Sequence, residues 1–275
     1  MRQRKVKDLD AKMEAVSKWL VKEPAPEVWG QARDLYLEIG CGKGDFLLQQ
    51  ALRHPENNYI GIEGQPSVVL RAMEKAARIE AGTLEEDDPQ WMRDAIAERV
   101  STERRTAMEQ IEGAKAAAGE STERLIAPGQ TEERRATAGQ IANCRYTDNV
   151  RFACLFVCEM SELFYPGSLA GVFLNFSDPW PKARHAKRRL TWRGRLQDYA
   201  IALQPGGFIA VKTDNDALFE FTLEEIAACG WTPVECTRDL HGPEGEPYEA
   251  RSVMTEYERK FHEAGKNINY VKVVV

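Results

Sequence analysis

The chain is short of the features that tie a protein to an oxidising compartment, a metal ion or a membrane. Its six cysteines, Cys41, Cys144, Cys154, Cys158, Cys229 and Cys236, form no C-x-x-C pair, and its four histidines are scattered. Neither a disulfide framework nor a zinc site is therefore expected, and the thiols are expected to pack as small hydrophobes. No apolar run approaches the roughly 20 residues that span a bilayer. The opening MRQRKVKDLDAKMEAVSKWL is charged throughout and lacks the apolar core of a signal peptide. A soluble cytoplasmic protein is the expectation. Net positive charge is missing too: 37 Lys/Arg face 43 Asp/Glu, for a formal charge of −6. That excludes a general nucleic-acid coat but not a local basic cluster.

What is present is an alternating α/β pattern. Residues 1–33 read as an N-terminal helical extension that ends in the proline-containing EPAPEVWGQ. Leu35–Ile39 is a short apolar strand running into Gly40-Cys41-Gly42-Lys43-Gly44, followed by a helix over Asp45–His54. Asn58–Glu63 is a second strand and Ser67–Arg78 a second helix. Strand, glycine loop, helix, strand is the first half of a doubly wound sheet. The pattern resumes with strands from Asn149 to Val157 and over Gly171–Phe176, and a helix over Arg193–Leu203. Gln204-Pro205-Gly206-Gly207 is expected to turn into the strand Phe208–Lys212, with helix Ala217–Cys229 and strands Thr232–Cys236 and Tyr270–Val275 after it. A loop encloses the last two strands, so an antiparallel final strand is expected.

Between these halves the composition shifts. Residues 78–147 hold ten Lys/Arg against fourteen Asp/Glu and few large apolar residues. Residues 34–275 thus read as one α/β domain interrupted at 79–147 by a polar insertion, partly helical or mobile. Trp91–Ala118 is its candidate helix, with a thin stripe of Met92, Ile96, Val100, Ala107 and Ile111. The stretch GESTERLIAPGQTEERRATAGQ is too polar to bury a core.

Glycines after the first strand let backbone approach a ligand at the carboxyl end of the sheet. The spacing here is G-x-G-x-G over Gly40, Gly42 and Gly44, not the G-x-G-x-x-G of a dinucleotide site. Glu63 ends the second strand, where a carboxylate accepts from both hydroxyls of a ribose. Glu38, just before the loop, can face a cationic group. A nucleoside with a cation and no pyrophosphate fits S-adenosylmethionine better than NAD or FAD. Further on, Asn175-Phe176-Ser177-Asp178-Pro179-Trp180-Pro181-Lys182 closes a strand at the same end of the sheet. Five Lys/Arg follow at once within Lys182–Arg189 and can neutralise phosphates beside the site.

Together, LEIGCGKG, GIEG, NFSDPWPKARHAKRRL and Thr255-Glu256-Tyr257-Glu258-Arg259-Lys260 resemble the bacterial tRNA (guanine-N7)-methyltransferase family over roughly residues 30–78 and 149–275. The resemblance implies a Rossmann-like class I methyltransferase fold, with a mostly parallel sheet, an antiparallel last strand and helices on both faces. It implies S-adenosylmethionine as cofactor, tRNA as partner and guanine 46 of the variable loop as target. It assigns the cofactor to Glu38, Gly40, Gly42, Gly44, Glu63 and Asp178. It gives the tRNA to Lys182, Arg184, His185, Lys187, Arg188, Arg189, Asp214, Thr255 and Glu258. Where the family reads Gly-Asp-Ala at the third strand end, this chain has Cys158-Glu159-Met160, so Glu159 takes the adenine-binding place.

Guanine N7 carries an in-plane lone pair and no proton. Asp178 is accordingly expected to orient the base and to stabilise developing positive charge, not to abstract a proton. The base must leave its stack to reach the methyl group, and Trp180 is either its stacking partner or a packing residue. Two alternatives stay open. One is methylation of an exocyclic base amine, since S-D-P-W is a near relative of the D-P-P-Y motif of such enzymes. The other is a non-catalytic RNA-binding module on the same fold. Metal ions and membranes are not expected as partners, and the sequence leaves the oligomeric state open between monomer and homodimer.

Overall fold

The computed structural model describes residues 6–22, 33–98, 100–102, 105, 108–109, 147–156, 159–242 and 248–275. The chain separates into two compact units, residues 1–77 with 147–275, and residues 78–146.

The first unit is built on an eight-stranded sheet. Its strands are β1 (Leu20–Val21), β2 (Leu35–Ile39), β3 (Asn58–Glu63), β4 (Val150–Cys154), β5 (Leu169–Asn175), β6 (Leu203–Thr213), β7 (Pro233–Thr237) and β8 (Asn269–Val274). They lie in the order β1-β4-β3-β2-β5-β6-β8-β7, and only β8 runs against its neighbours. The helices are α1 (Leu9–Ala15), α2 (Asp45–Arg53), α3 (Pro66–Ala81), α4 (Arg193–Ala202), α5 (Asp216–Ala228) and α6 (Glu256–Glu263).

Alternation along the strands sorts the core into two faces. Leu37, Ile39, Ile60, Ile62, Val172, Leu174, Ile209 and Val211 share a buried cluster with Leu196 and Tyr199 of α4 and Phe219 and Ile226 of α5. The opposite face is aromatic: Tyr36 stacks on Tyr59 at 5.4 Å, and Phe173 meets Phe208 and, from α2, Phe46. With β2, β3 and β5 buried at nearly every position, both faces are covered, as a parallel sheet requires.

Two local features depart from the sequence reading. Leu20–Val21, assigned above to a helical extension, pairs in parallel with Phe152 and Ala153 as an edge strand, and Trp19 donates to Thr147 at 3.0 Å beside it. Gln204–Gly207 is no free turn. β6 runs through it, Leu203 pairing with Leu169 and Phe208 with Gly171, while the bulge between them takes up Gly206 at φ +81°.

In the second unit, Arg78 grips Asp88 through two bonds of 3.1 and 2.7 Å, and Arg93 donates to the carbonyls of Glu85, Glu86 and Asp88. Residues 90–98 are helical, with Met92 and Ile96 buried. Ala107, Ile111 and the polar stretch beyond them lie outside the described residues. Among the described residues no helix is long and apolar enough to cross a membrane.

Candidate active site

The strand order reverses between β2 and β5, which makes the carboxyl ends of these two strands the switch point of the sheet. Glu38 of β2 and Asn175 of β5 meet there, Asn175 Nδ2 donating to Glu38 Oε1 at 2.8 Å. The other carboxylate oxygen of Glu38 is buried without a hydrogen-bond partner. Burial pushes the Glu38 carboxyl up to about 8, with Asn175 and Lys212 pulling the other way. A buried acceptor left open is costly unless a ligand completes it.

The glycine loop closes over this point. Gly40 and Gly42 sit at φ +78° and +54°, where side chains are disfavoured; the Gly40 amide donates to the Ile62 carbonyl at 2.8 Å, and the space a Cβ would take at either glycine is empty. Gly44 begins α2, and a Cβ there would stand 2.9 Å from that of Ala72. Gly40 to Lys43 of the loop line, with Glu38, Phe46, Asn175, Phe176 and Thr255, one cavity of about 160 Å³, and Gly44 is not part of its wall. Lys43 and Glu256 form an ion pair of 2.8 Å between the loop and the start of α6. An open acidic acceptor under a glycine loop fits the cationic methionine end of S-adenosylmethionine.

Other residues singled out from the sequence are not in the wall of this cavity, and Glu159 lines a separate depression with Lys187, Trp192 and Asp198. Glu63, half-buried at the end of β3, accepts from the amide of Gln65 at 3.0 Å. Glu159 is exposed, as is Asp178, three positions beyond Asn175. Asp214, past the end of β6, pairs with Lys266 at 3.1 Å. Phe176 and Trp180 bracket Asp178 with φ of +52° and +41°, so the loop carrying it is strained at both shoulders.

The T-x-x-E pair has a structural occupation that the sequence did not show. Thr255 caps α6 and accepts from the Glu258 amide at 2.9 Å, while Glu258 Oε2 accepts from the Thr255 amide at 3.1 Å. Glu258 is fully buried. Lys212 Nζ lies 3.0 Å from each of its oxygens and also donates to the carbonyls of Ala250 and Val253. His241 Nε2 is 2.7 Å from Glu258 Oε1. Burial draws the Lys212 ammonium below its ordinary value, against the opposing pull of Glu258. Of these residues Thr255 alone lines the cavity, and Glu258 lies behind it.

The basic run forms a 3-10 helix over Ala183–Arg188. Lys182, Arg184, Lys187 and Arg188 are exposed. Arg188 lies 5.0 Å over the Trp180 ring, His185 meets the same ring edge-on at 5.6 Å, and Lys187 sits over Trp192. Arg189 turns inward, toward Pro179 and Trp180. Asn175, Lys212 and His241 were missed in the sequence. Asn175 carried a signal, as first residue of the N-F-S-D-P-W motif; the other two had none, since only the tertiary fold buries them.

Residues 32–100 and 119–271 match a family of putative methyltransferases. The chain is 35% identical over 238 residues to a tRNA (guanine-N(7)-)-methyltransferase of Mesoplasma florum, covering 86% of this chain and 78% of that one. It is 30% identical over 270 residues to one of Mycoplasma pneumoniae, covering 98% and 96%. Its fold is similar to that of the 16S rRNA methyltransferase KamB, with a TM-score of 0.50 at 13% identity over 100% of this chain and 96% of that chain.

Proposed function

The chain belongs to the tRNA (guanine-N7)-methyltransferase family, and on that premise we infer that it transfers a methyl group from S-adenosylmethionine to N7 of a guanine in tRNA. The observation that carries this reading is the open carboxylate oxygen of Glu38 in the cavity under the glycine loop. The basic 3-10 helix that follows Asp178 within a few residues supports RNA as the acceptor.

When bound, S-adenosylmethionine supplies an electrophilic methyl group on a sulfonium centre. Glu38 would take its cationic end, Glu63 the ribose hydroxyls and Glu159 the adenine, with Gly40 and Gly42 admitting it close to the backbone and Gly44 letting α2 pack against Ala72. That methyl group would be taken by the in-plane lone pair of N7, and the residues' part is to hold the two in line. N7 bears no proton, so no residue need act as base at that atom. What the protein contributes is orientation, worth on the order of 7–11 kcal/mol at best, and charge. Asp178 holds the guanine edge and offsets the positive charge that develops on the ring. Thr255 shapes the acceptor side of the cavity, with Glu258 acting through the start of α6, and Lys182 and Asp214 flank the entering nucleotide. Lys182, Arg184, His185, Lys187 and Arg188 meet the tRNA backbone. Guanine 46 of the variable loop is the target we assign, and the cytoplasm the place of action.

The test is incubation of the protein with methyl-labelled S-adenosylmethionine and total tRNA, followed by nucleoside analysis. Label in 7-methylguanosine is expected, and it should vanish from a tRNA transcript with adenine at position 46. Label in an N6-methylated adenosine would establish the exocyclic-amine reading instead. Cofactor binding without any labelled nucleoside would leave an RNA-binding module.

A further inference from the structure

Within the run Lys182–Arg189, one residue is turned the wrong way to meet a phosphate. Arg189 Nε donates to the carbonyl of Pro179 at 3.0 Å and Nη2 to that of Trp180 at 3.1 Å. Its guanidinium lies 4.2 Å over the ring of Phe221 in α5. Two further links continue the attachment to the same helix: the Thr222 hydroxyl, which donates to the Leu218 carbonyl, accepts from that of Thr191 at 2.9 Å, and Glu225 accepts from the amide, Nε and Nη2 of Arg193 at 2.7 to 2.8 Å. The two carbonyls held by Arg189 belong to the residues directly after Asp178, and the second belongs to Trp180, whose φ of +41° a bulky side chain rarely adopts. Such a backbone persists only where its surroundings over-determine it.

We propose that Arg189 is a positioning residue: it clamps the Pro179–Trp180 turn to α5, and so fixes where Asp178 stands, rather than binding tRNA phosphate. The consequence for Asp178 rests on the function inferred above; the clamp itself does not. A planar fork bridges two successive carbonyls while stacking on a ring, which an ammonium group cannot do.

The charge-conserving substitution separates the two roles. Arg189→Lys keeps a cation for phosphate but loses the fork. Its kcat, normalised to cofactor-binding sites, should fall about tenfold or more, with KM for tRNA and its salt dependence near those of the wild type. Arg189→Ala should lower kcat equally. Hydrogen exchange over residues 176–184 should quicken in both variants while the sheet strands stay as protected as in the wild type. This second readout decides the clamp even if the wild type makes no 7-methylguanosine, an outcome that would sink the functional reading alone. Wild-type kcat in Arg189→Lys, with a raised KM and a log–log salt slope reduced by about 0.7–0.9 in Arg189→Ala, would make it a phosphate ligand and overturn the proposal. So would unchanged exchange over 176–184 in both variants.

Discussion

Lys212 and Glu258 bind each other in full: the lysine ammonium stands 3.0 Å from both oxygens of a carboxylate that has no exposed surface. The pair joins the end of β6 to the capping box of α6, whose Thr255 lines the cavity under the glycine loop. Removing one partner strands a buried charge, which typically costs about 3–5 kcal/mol. Lys212→Met should therefore lower the thermal midpoint markedly. Adding Glu258→Gln should restore part of the loss, so that the double variant is more stable than the two single effects predict. Strict additivity in a double-mutant cycle would show that the two do not act as a pair.

With Glu38 proposed to meet the cationic end of the cofactor, a pH dependence of binding follows. Its carboxyl titrates near 8 because it is buried, so below that pH the ligand-free protein holds it protonated. A cationic ligand end favours the ionised form. Affinity for S-adenosylmethionine should then rise with pH toward about 8 and level off above it, by up to about tenfold per unit on the rising limb, with a proton released on binding. Stability of the free protein runs the other way. A raised carboxyl contributes fully below its unfolded value and is lost as pH rises through about 8. Calorimetry in buffers of different ionisation enthalpy measures the proton, and Glu38→Gln should abolish both trends. Proton release persisting in Glu38→Gln would place the titration elsewhere.

Asp178→Asn preserves shape but removes charge. We expect kcat to fall about 10- to 1,000-fold, or about 1.4–4 kcal/mol, with cofactor affinity altered far less. Single-turnover kinetics with saturating tRNA measures this. A fully active Asn variant would leave the guanine to other residues around Thr255.

Neutralising Lys182, Arg184, Lys187 and Arg188 tests the exposed part of the basic run. Every phosphate that goes unneutralised should flatten the log–log salt dependence of tRNA binding by roughly 0.7–0.9, and the methylated nucleoside should stay the same. Methylation spreading to other bases at unchanged affinity would make these residues readers of sequence.

The parts of this architecture legible in sequence are those with local signals. β2, β3 and α2 were readable because an apolar run, a glycine loop and an amphipathic helix succeed one another within thirty residues. Glu38 was marked by standing immediately before that loop. Its partner Asn175 is 137 residues away, and nothing local announces the bond. The T-x-x-E spacing suits a substrate-binding pair and a capping box equally, so sequence alone could not reveal the buried role of Glu258. The five basic residues of 182–189 look alike as letters; only the path of the turn directs Arg189 inward and leaves the others outside. β1 has two residues, too few to carry a period of two.

The sheet order also constrains when the site comes into being. Trp19 bonds to Thr147 across 128 residues and Asn175 to Glu38 across 137, both tying early segments to a part of the chain made long afterwards. On the ribosome, β2 and its glycine loop are complete while β5 does not yet exist. Loop-closure entropy makes such distant pairings slow to form. Until the segment through Asn175 has emerged and docked, Glu38 has neither its hydrogen-bond donor nor a second cavity wall. Competence to hold the methyl donor should therefore arise late in synthesis, in one step, and not accumulate as the chain lengthens.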